Sequence, residues 1–307
     1  MPTFPIETTA EEVARALSSQ IKGKNVIITG ASPESLGFGA AQTIATKEPG
    51  LIVLTARKLP VLEEAKAEIL KQSPKANIKL LDFDLGSQAS VREAAERVKA
   101  LGERFDVLIN CAGIMATPYT LTPEGIESQF GTNHIGHFLF TNLLVPVLND
   151  GASIVNVSSS GYQLGPILWD DLSFKKTPYN KWHAYGQSKA ANILFSAAIA
   201  RKLANRGIIS FGVHPGTIRT KIGRHMTQED YDLFANTPLR IKEPEQGPAN
   251  MLIAAFDTSI RDHNGSYIHD DNRVTPISEE FAYAFGKENE DRLWVLSEKL
   301  VNQEFSY

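Results

Sequence analysis

The sequence predicts an α/β protein: one domain, residues 1–307, built on a doubly wound parallel sheet of about seven strands flanked by helices. Three observations predict it. Compact apolar runs such as KNVIITG, LIVLTARK and GASIVNV suit strands that are covered on both faces of a sheet. Charged amphipathic segments of helical length alternate with these runs, the pattern of strand–helix–strand units. The first run ends in TGASPESLGFG, a turn whose glycines let the backbone approach a pyrophosphate.

Composition narrows the function. A net charge of -4 leaves no electrostatic footprint for nucleic acid. No apolar run reaches the ~18 residues of a membrane span, so none is expected. Cys111 is the single cysteine, which excludes an internal disulfide and a cysteine-rich metal site. It fits a reducing compartment, and the N-terminus lacks the basic and apolar regions of a secretory leader. A cytoplasmic location is therefore expected, and no metal.

The elements follow in order. Thr9 to Ile21 reads as a leading helix within residues 1–22, with Thr9 and Glu12 as a capping box and Val13, Ala16, Leu17 and Ile21 on one face. KNVIITG is the first strand. Gly30, Gly37 and Gly39 then precede or open a helix that begins near Leu36 and offers amide donors to an anion. LIVLTARK is the second strand. In NAD-binding sheets an acid for the ribose 2′-hydroxyl usually follows it; here Arg57 stands there, which suits a 2′-phosphate and argues for NADP. Leu59 to Ser73 is a helix ended by Pro74. NIKLLDFDL is the third strand, placing Asp84 at the carboxyl end to bond the adenine amino group. Ser90 to Leu101 is a charged amphipathic helix. FDVLINCAG is the fourth strand, with Gly113 opening a loop over the cofactor. Cys111 is expected as a small packed residue, because no His/Asp pair flanks it.

Thr122 to Leu148 is expected to be helical and broken at Pro146. Asn133 within it is unfavourable by propensity, which argues for a role. GASIVNVSSSG is the fifth strand and its exit, with Ser158, Ser159 and Ser160 at the carboxyl end. The irregular stretch from Tyr162 to Trp182 is expected to wall a pocket. The helix from Ala184 to Ala204 carries Tyr185 and Lys189 one turn apart on one face. A phenol titrates near ~10, and bringing it to ~7 takes roughly 4 kcal/mol. The Lys189 ammonium is expected to supply much of this and a bound cationic nicotinamide the rest. YxxxK alone is common on ordinary helices; its companions give it meaning.

IISFGVHPG is the sixth strand. Pro215 and Gly216 turn the chain across the nicotinamide end, and Thr220 is placed to bond the carboxamide or a phosphate. His214 is expected to be packed, with no second ligand at metal spacing. Residues 217–243, polar with interleaved aromatics, read as a substrate lid. Glu245 to Phe256 is a helix, GSYIHD a last strand, and a helix and tail end the chain.

In this order the motifs TGASPESLGFG, DFDL, NCAG, NHIGHF, VNVSS, YGQSK and HPGTIRT resemble the short-chain dehydrogenase/reductase family, most specifically its retinol-dehydrogenase-like branch as found in filamentous fungi. The resemblance spans about Lys22 to Val274 and implies a Rossmann-type fold. It implies that Ser159 orients a substrate carbonyl, Tyr185 is the acid/base, and Lys189 lowers its pKa and holds the ribose. Asn133 would support a water that relays protons to Lys189. Ser159 is preferred to Ser158 because the second serine of the family's pair usually carries the role. Cofactor contacts are implied at Gly30, Ser32, Leu36, Gly37, Arg57, Asp84, Asn110, Ala112, Tyr185, Lys189, Ile218 and Thr220.

Two departures stand out. The glycine loop is one residue longer than the family's TGxxxGxG, and Ser35 stands near the place of the middle glycine. Its Cβ is expected to crowd the pyrophosphate unless the loop reroutes. Cys111 replaces an Asn that braces the sheet. The implied activity is NADPH-dependent hydride transfer to or from a small hydrophobic carbonyl or alcohol. Phe174, Tyr179, Trp182 and the segment from Ile218 to Leu239 are expected to line the substrate pocket. An NADP(H)-binding regulatory scaffold with little turnover, or a non-redox enzyme on the same residues, are the competing readings. The resemblance leaves the oligomeric state open: the family often forms homodimers through the helices of Asn133 and Tyr185, while relatives of this branch can be monomers.

Overall fold

The computed structural model describes residues 4–237 and 240–307. Strands in chain order are β1 (Asn25–Thr29), β2 (Leu51–Ala56), β3 (Ile78–Asp82), β4 (Phe105–Asn110), β5 (Leu148–Val157), β6 (Ile209–Val213), β7 (Thr217–Ile218), β8 (Ile241–Lys242), β9 (Tyr267–Ile268) and β10 (Val274–Thr275). The α-helices are α1 (Ala10–Ala16), α2 (Ser18–Ile21), α3 (Leu36–Ala45), α4 (Leu59–Gln72), α5 (Gln88–Lys99), α6 (Ser128–Phe130), α7 (Gly136–Leu144), α8 (Lys181–Lys202), α9 (Gln228–Phe234), α10 (Ala249–Phe256) and α11 (Lys287–Val301).

The main sheet has the order β10-β9-β6-β5-β4-β1-β2-β3. All its pairings are parallel except that of β10 with β9. It therefore holds eight strands rather than about seven. The addition is β10, two residues long and too short to carry a readable alternation. β7 and β8 form a separate two-stranded ribbon inside the segment expected as a lid.

Strand side chains alternate between two apolar clusters, as the pleat requires. Val26, Ile28, Leu54, Ile109, Val155 and Phe211 face α1, α3, α4 and α10. Ile27, Val53, Leu108 and Ile154 face α5, α7, α8 and α11. The leading helix keeps its capping box at Thr9 and Glu12.

Two elements differ from expectation. The helix expected from Thr122 starts at Ser128, because Gly125 turns the chain at φ +77° and Leu121 bridges Glu127. Between α6 and α7 the backbone widens to a π-helical turn, Gly131–Ile135, which carries Asn133. The α7–α8 face, through which the resemblance allows a homodimer, is covered by α11. Trp294, 3% exposed, meets Phe138 edge-on at 5.1 Å and lies 6.1 Å from Phe195. A homodimer through that face would have to displace α11. The chain is therefore expected to run as a monomer in light scattering. Trp294→Ala should cost ~3–5 kcal/mol in urea unfolding and bring on self-association.

Candidate active site

Loops at the carboxyl ends of β1, β4, β5 and β6 enclose a cavity of about 910 Å³. It lies at the point where strand order reverses between β1 and β4, the place where open α/β sheets hold ligands. Of the residues singled out in the sequence, Gly30, Ser32, Leu36, Arg57, Asp84, Ala112, Ser159, Tyr185, Lys189, Ile218 and Thr220 line it.

The glycine loop explains one end. Gly30 has φ +75°, and a Cβ there would lie 2.7 Å from the Ala112 Cα. A Cβ on Gly37 would lie 2.6 Å from the Gly30 carbonyl oxygen. The loop's length is absorbed before Ser35, where Glu34 takes φ 66°. Ser35 is the N-cap of α3: its hydroxyl accepts from the Phe38 amide at 3.1 Å and donates to the Gly30 carbonyl at 2.7 Å. So the serine that was expected to crowd the pyrophosphate instead closes the helix end that would receive it. The cradle, the helix N-terminus and the rim arginine fit a dinucleotide. Arg57 is exposed.

At the other end Tyr185 is buried, with its ring against Gly161; a Cβ on that glycine would lie 2.6 Å from the ring. Gly186, mid-helix, lets Gly161 and Gly165 approach α8 equally closely. The Ser159 hydroxyl accepts from the Gly161 amide at 3.0 Å, whereas Ser158 is turned away, donating to the Lys189 carbonyl at 2.8 Å. Lys189 is 2% exposed and donates to the Val157 carbonyl at 3.0 Å, its ammonium 5.6 Å from the Tyr185 ring centre.

The electrostatics differ from the sequence expectation. Burial pushes the Tyr185 phenol up to about 12, against a lowering by Ser159, and burial pulls Lys189 down to about 8. Lys189 by itself does not bring Tyr185 toward neutrality, because desolvation of the buried phenol outweighs a cation 5.6 Å from its ring centre.

Asn133 does not line the cavity; it stands behind the loop at Gly113. Its amide accepts from the Ile114 N–H at 2.8 Å and donates to the Ile114 carbonyl and the Ser188 hydroxyl, both at 2.9 Å. Its own carbonyl accepts from His137 Nδ1 at 2.9 Å, and His137 Nε2 meets the Thr29 hydroxyl at 2.8 Å. Burial pulls His137 down to about 4, so it is neutral. Thr29 in turn accepts from the amides of Cys111 and Ala112. A buried chain of hydrogen bonds thus joins the π-helical turn to the end of β1.

Other placements differ. Asn110 is turned into the sheet, donating to Thr141 and Asn156 at 2.9 and 2.8 Å, and Gly37 packs beneath the loop; neither lines the cavity. Cys111, expected as a small packed residue, lines it, and burial pushes its thiol up to about 12, so it is no thiolate. His214, expected to be packed, is buried at the end of β6 and also lines the cavity, and burial pulls it down to about 4. Phe174 packs away from the cavity, while Tyr179 and Trp182 line a neighbouring cleft. From the expected segment 218–239 only Ile218, Thr220, Lys221, Ile222, Arg224 and His225 reach the cavity, and Leu239 lies outside the described residues. The opposite wall is Met115, Thr117, Pro118 and Leu121, which the sequence reading missed. No periodicity marks such a loop; its only sequence signal is its place after the NCAG strand end.

No helix among the described residues is long and apolar enough to cross a membrane. A family model described as short chain dehydrogenase matches residues 24–230. The chain is 36% identical over 292 residues to retinol dehydrogenase 13 of Homo sapiens, covering 92% of this chain and 86% of that one. Among solved structures it is similar to an uncharacterized protein from Mycobacterium paratuberculosis, at TM-score 0.74 and 32% identity, over 94% of this chain and 96% of that one. A short chain dehydrogenase from Burkholderia cenocepacia, solved in complex with NADP, shares the fold at TM-score 0.65 and 22% identity, over 82% and 98% of the two chains.

Proposed function

Since the chain belongs to the short-chain dehydrogenase/reductase family, in its retinol-dehydrogenase-like part, we propose that it is an NADP-dependent oxidoreductase acting on a small hydrophobic carbonyl or alcohol. The observation that carries this reading is the meeting of Ser159, Tyr185 and Lys189 in one cavity whose far rim bears Arg57. When bound, the nicotinamide nucleotide supplies or accepts the hydride.

The chain's own residues do the rest. Gly30 and Gly37 let the end of β1, Ala112 and the start of α3 pack closely enough to form a cradle for a pyrophosphate beside Ser32 and Leu36. Of the first-turn amides of α3, that of Phe38 is taken by Ser35, leaving those of Leu36 and Gly37 for it. Arg57 takes the 2′-phosphate, where an acid would instead select the unphosphorylated ribose. Asp84 receives the adenine, and Ala112, Ile218 and Thr220 position the nicotinamide end. Asn110 acts from the sheet, by holding the end of β4. The Ser159 hydroxyl holds the substrate oxygen. Tyr185 donates a proton to that oxygen in reduction and accepts it in oxidation. Lys189 holds the ribose and favours the phenolate once the pocket is filled, and Asn133 supports the water through which Lys189 exchanges its proton. Met115, Pro118, Leu121 and Ile222 give the substrate end an apolar wall, which suits a hydrophobic compound.

Fluorescence titration with NADPH and NADH tests the cofactor. The wild type is expected to prefer NADPH by about tenfold or more, about 1.4 kcal/mol. Arg57→Glu should lose that preference while keeping NADH. Equal affinities in the wild type would overturn the assignment.

A further inference from the structure

We propose that Asp230 is a latch that fastens the substrate lid to the first turn of the catalytic helix, making it a positioning residue for the reaction. That the segment is a substrate lid rests on the function proposed above; the fastening itself does not.

The lid helix α9 has an unusual attachment. Its only buried residue is a carboxylate, Asp230, 4% exposed. Its apolar residues Tyr231 and Leu233 are 56% and 63% exposed. Phe234, half-buried, is the one apolar residue of α9 that packs inward, so apolar burial holds α9 at a single point and the polar contacts of Asp230 supply most of the rest.

Part of what Asp230 does is local. It closes a capping box, accepting from the Thr227 amide at 2.7 Å and hydroxyl at 3.0 Å. A cap needs nothing more. Yet the same carboxylate also reaches α8: it accepts from Lys181 Nζ at 2.5 Å and from the Trp182 indole N–H at 2.8 Å. The Trp182 ring then meets Phe234 edge-on at 4.7 Å.

Lys181 lies four residues before Tyr185, one turn away on the same helix. The lid is thus tied to the turn that leads into the acid/base residue. On its inner side the same segment supplies Ile218, Thr220 and Ile222 to the cavity wall. Burial would raise the Asp230 carboxyl, but Lys181, the Thr227 amide, the Trp182 indole and the Thr227 hydroxyl outweigh it and hold it at about 2. The other charged groups of the two packed elements are Glu229, Asp232, His183, Lys189, Arg201 and Lys202; none of them bonds Asp230. A folded pKa below the unfolded ~3.9 means the stabilisation is present above that value and lost as pH falls toward 2. The latch is therefore closed throughout the neutral range, and it is released by removing its donors rather than by mild acid.

Hydrogen-exchange mass spectrometry on the full chain tests this without a substrate. Asp230→Asn is expected to speed exchange in peptides covering 217–234 by about tenfold or more, with β1, β4 and β5 unchanged. Trp182 emission should shift as its indole loses the carboxylate, and NADPH should dissociate faster in stopped flow. Lys181→Met, which keeps the aliphatic stem, should loosen the same peptides less, and adding it to Asp230→Asn should have little further effect. Unchanged lid protection in both variants, or loosening spread evenly over the chain, would overturn the latch. If Asp230→Asn fails to fold, Lys181→Met carries the test alone. Failure of NADPH to bind the wild type, with the exchange result intact, would sink the cofactor assignment and leave the latch standing.

Discussion

Tyr185→Phe is expected to lower the rate of carbonyl reduction by ~10²–10⁴-fold, the contribution of a positioned general acid, while leaving NADPH affinity within about twofold of wild type. The split follows from what the hydroxyl and the ring each do. The ring packs against Gly161 and shapes the cavity wall, and phenylalanine keeps that contact. Only the proton is lost. Since burial holds the phenol up at about 12, Tyr185 is fully protonated in the free protein and carries the proton that reduction needs. The alcohol-oxidation direction does need a phenolate, so it should depend more steeply on pH and on the charge of the bound nicotinamide.

Lys189 sets the other limb. Burial pulls its pKa from 10.5 to about 8, so its charge is present below that pH and lost above it. The pH profile of kcat/KM for reduction should therefore fall from about pH 8 upward. Keeping this ammonium buried costs stability on the order of 3 kcal/mol below pH 8, at 1.36 kcal/mol per unit. That cost is relieved as pH rises toward 10.5, because there the unfolded chain binds the proton that the folded chain has already lost. A profile flat to pH 10 would show that Lys189 is not coupled to the proton transfer.

Much of this was legible in the residues, for physical reasons that also mark where legibility ends. β1, β2, β4 and β6 and the second half of β5 are buried on both faces, so their apolar runs are continuous and stand out, while β3, at the sheet edge with Lys79 exposed, is still marked by Ile78, Leu80 and Leu81. β7, β8 and β10 hold two residues each and leave no pattern. Tyr185 and Lys189 are read from one helical period, and Arg57 from its place after a strand. Gly161 and Gly186 could not be read in this way, since what they accommodate is the ring and backbone of segments distant in sequence. His137 looked like one of two histidines in NHIGHF; that it joins Asn133 to Thr29 depends on the π-helical turn, which no periodicity announces. Phe174, Tyr179 and Trp182 were expected at the substrate because aromatics near a catalytic helix often are. They pack instead beside the cavity because the loop from Gly113 to Leu121 takes that wall.

Gly37→Ala is expected to abolish nucleotide binding while the chain still folds. The added methyl would stand 2.6 Å from the Gly30 carbonyl oxygen and 3.0 Å from its carbon, closer than real contacts allow. Both atoms are backbone, so no side chain can swing aside. The relief must come from moving α3 away from the end of β1. That breaks the bond from the Ser35 hydroxyl to Gly30 and withdraws the helix N-terminus from the place of the pyrophosphate. Overpacking of this kind costs ~1–3 kcal/mol, which a domain with apolar layers on both sheet faces can absorb. Losing an anion site built on the N-terminus of α3 should weaken NADPH binding by more than about a hundredfold, or about 3 kcal/mol. Circular dichroism and urea unfolding would report the fold, and fluorescence titration the binding. Gly23→Ala is the control: that glycine has positive φ, at +73°, but nothing lies within 4 Å of its Cβ position, so it should cost stability alone. If Gly37→Ala bound NADPH as the wild type does, the lengthened loop would have to place the pyrophosphate away from α3. The role assigned to the glycine turn would then fall, while that of Tyr185 would remain.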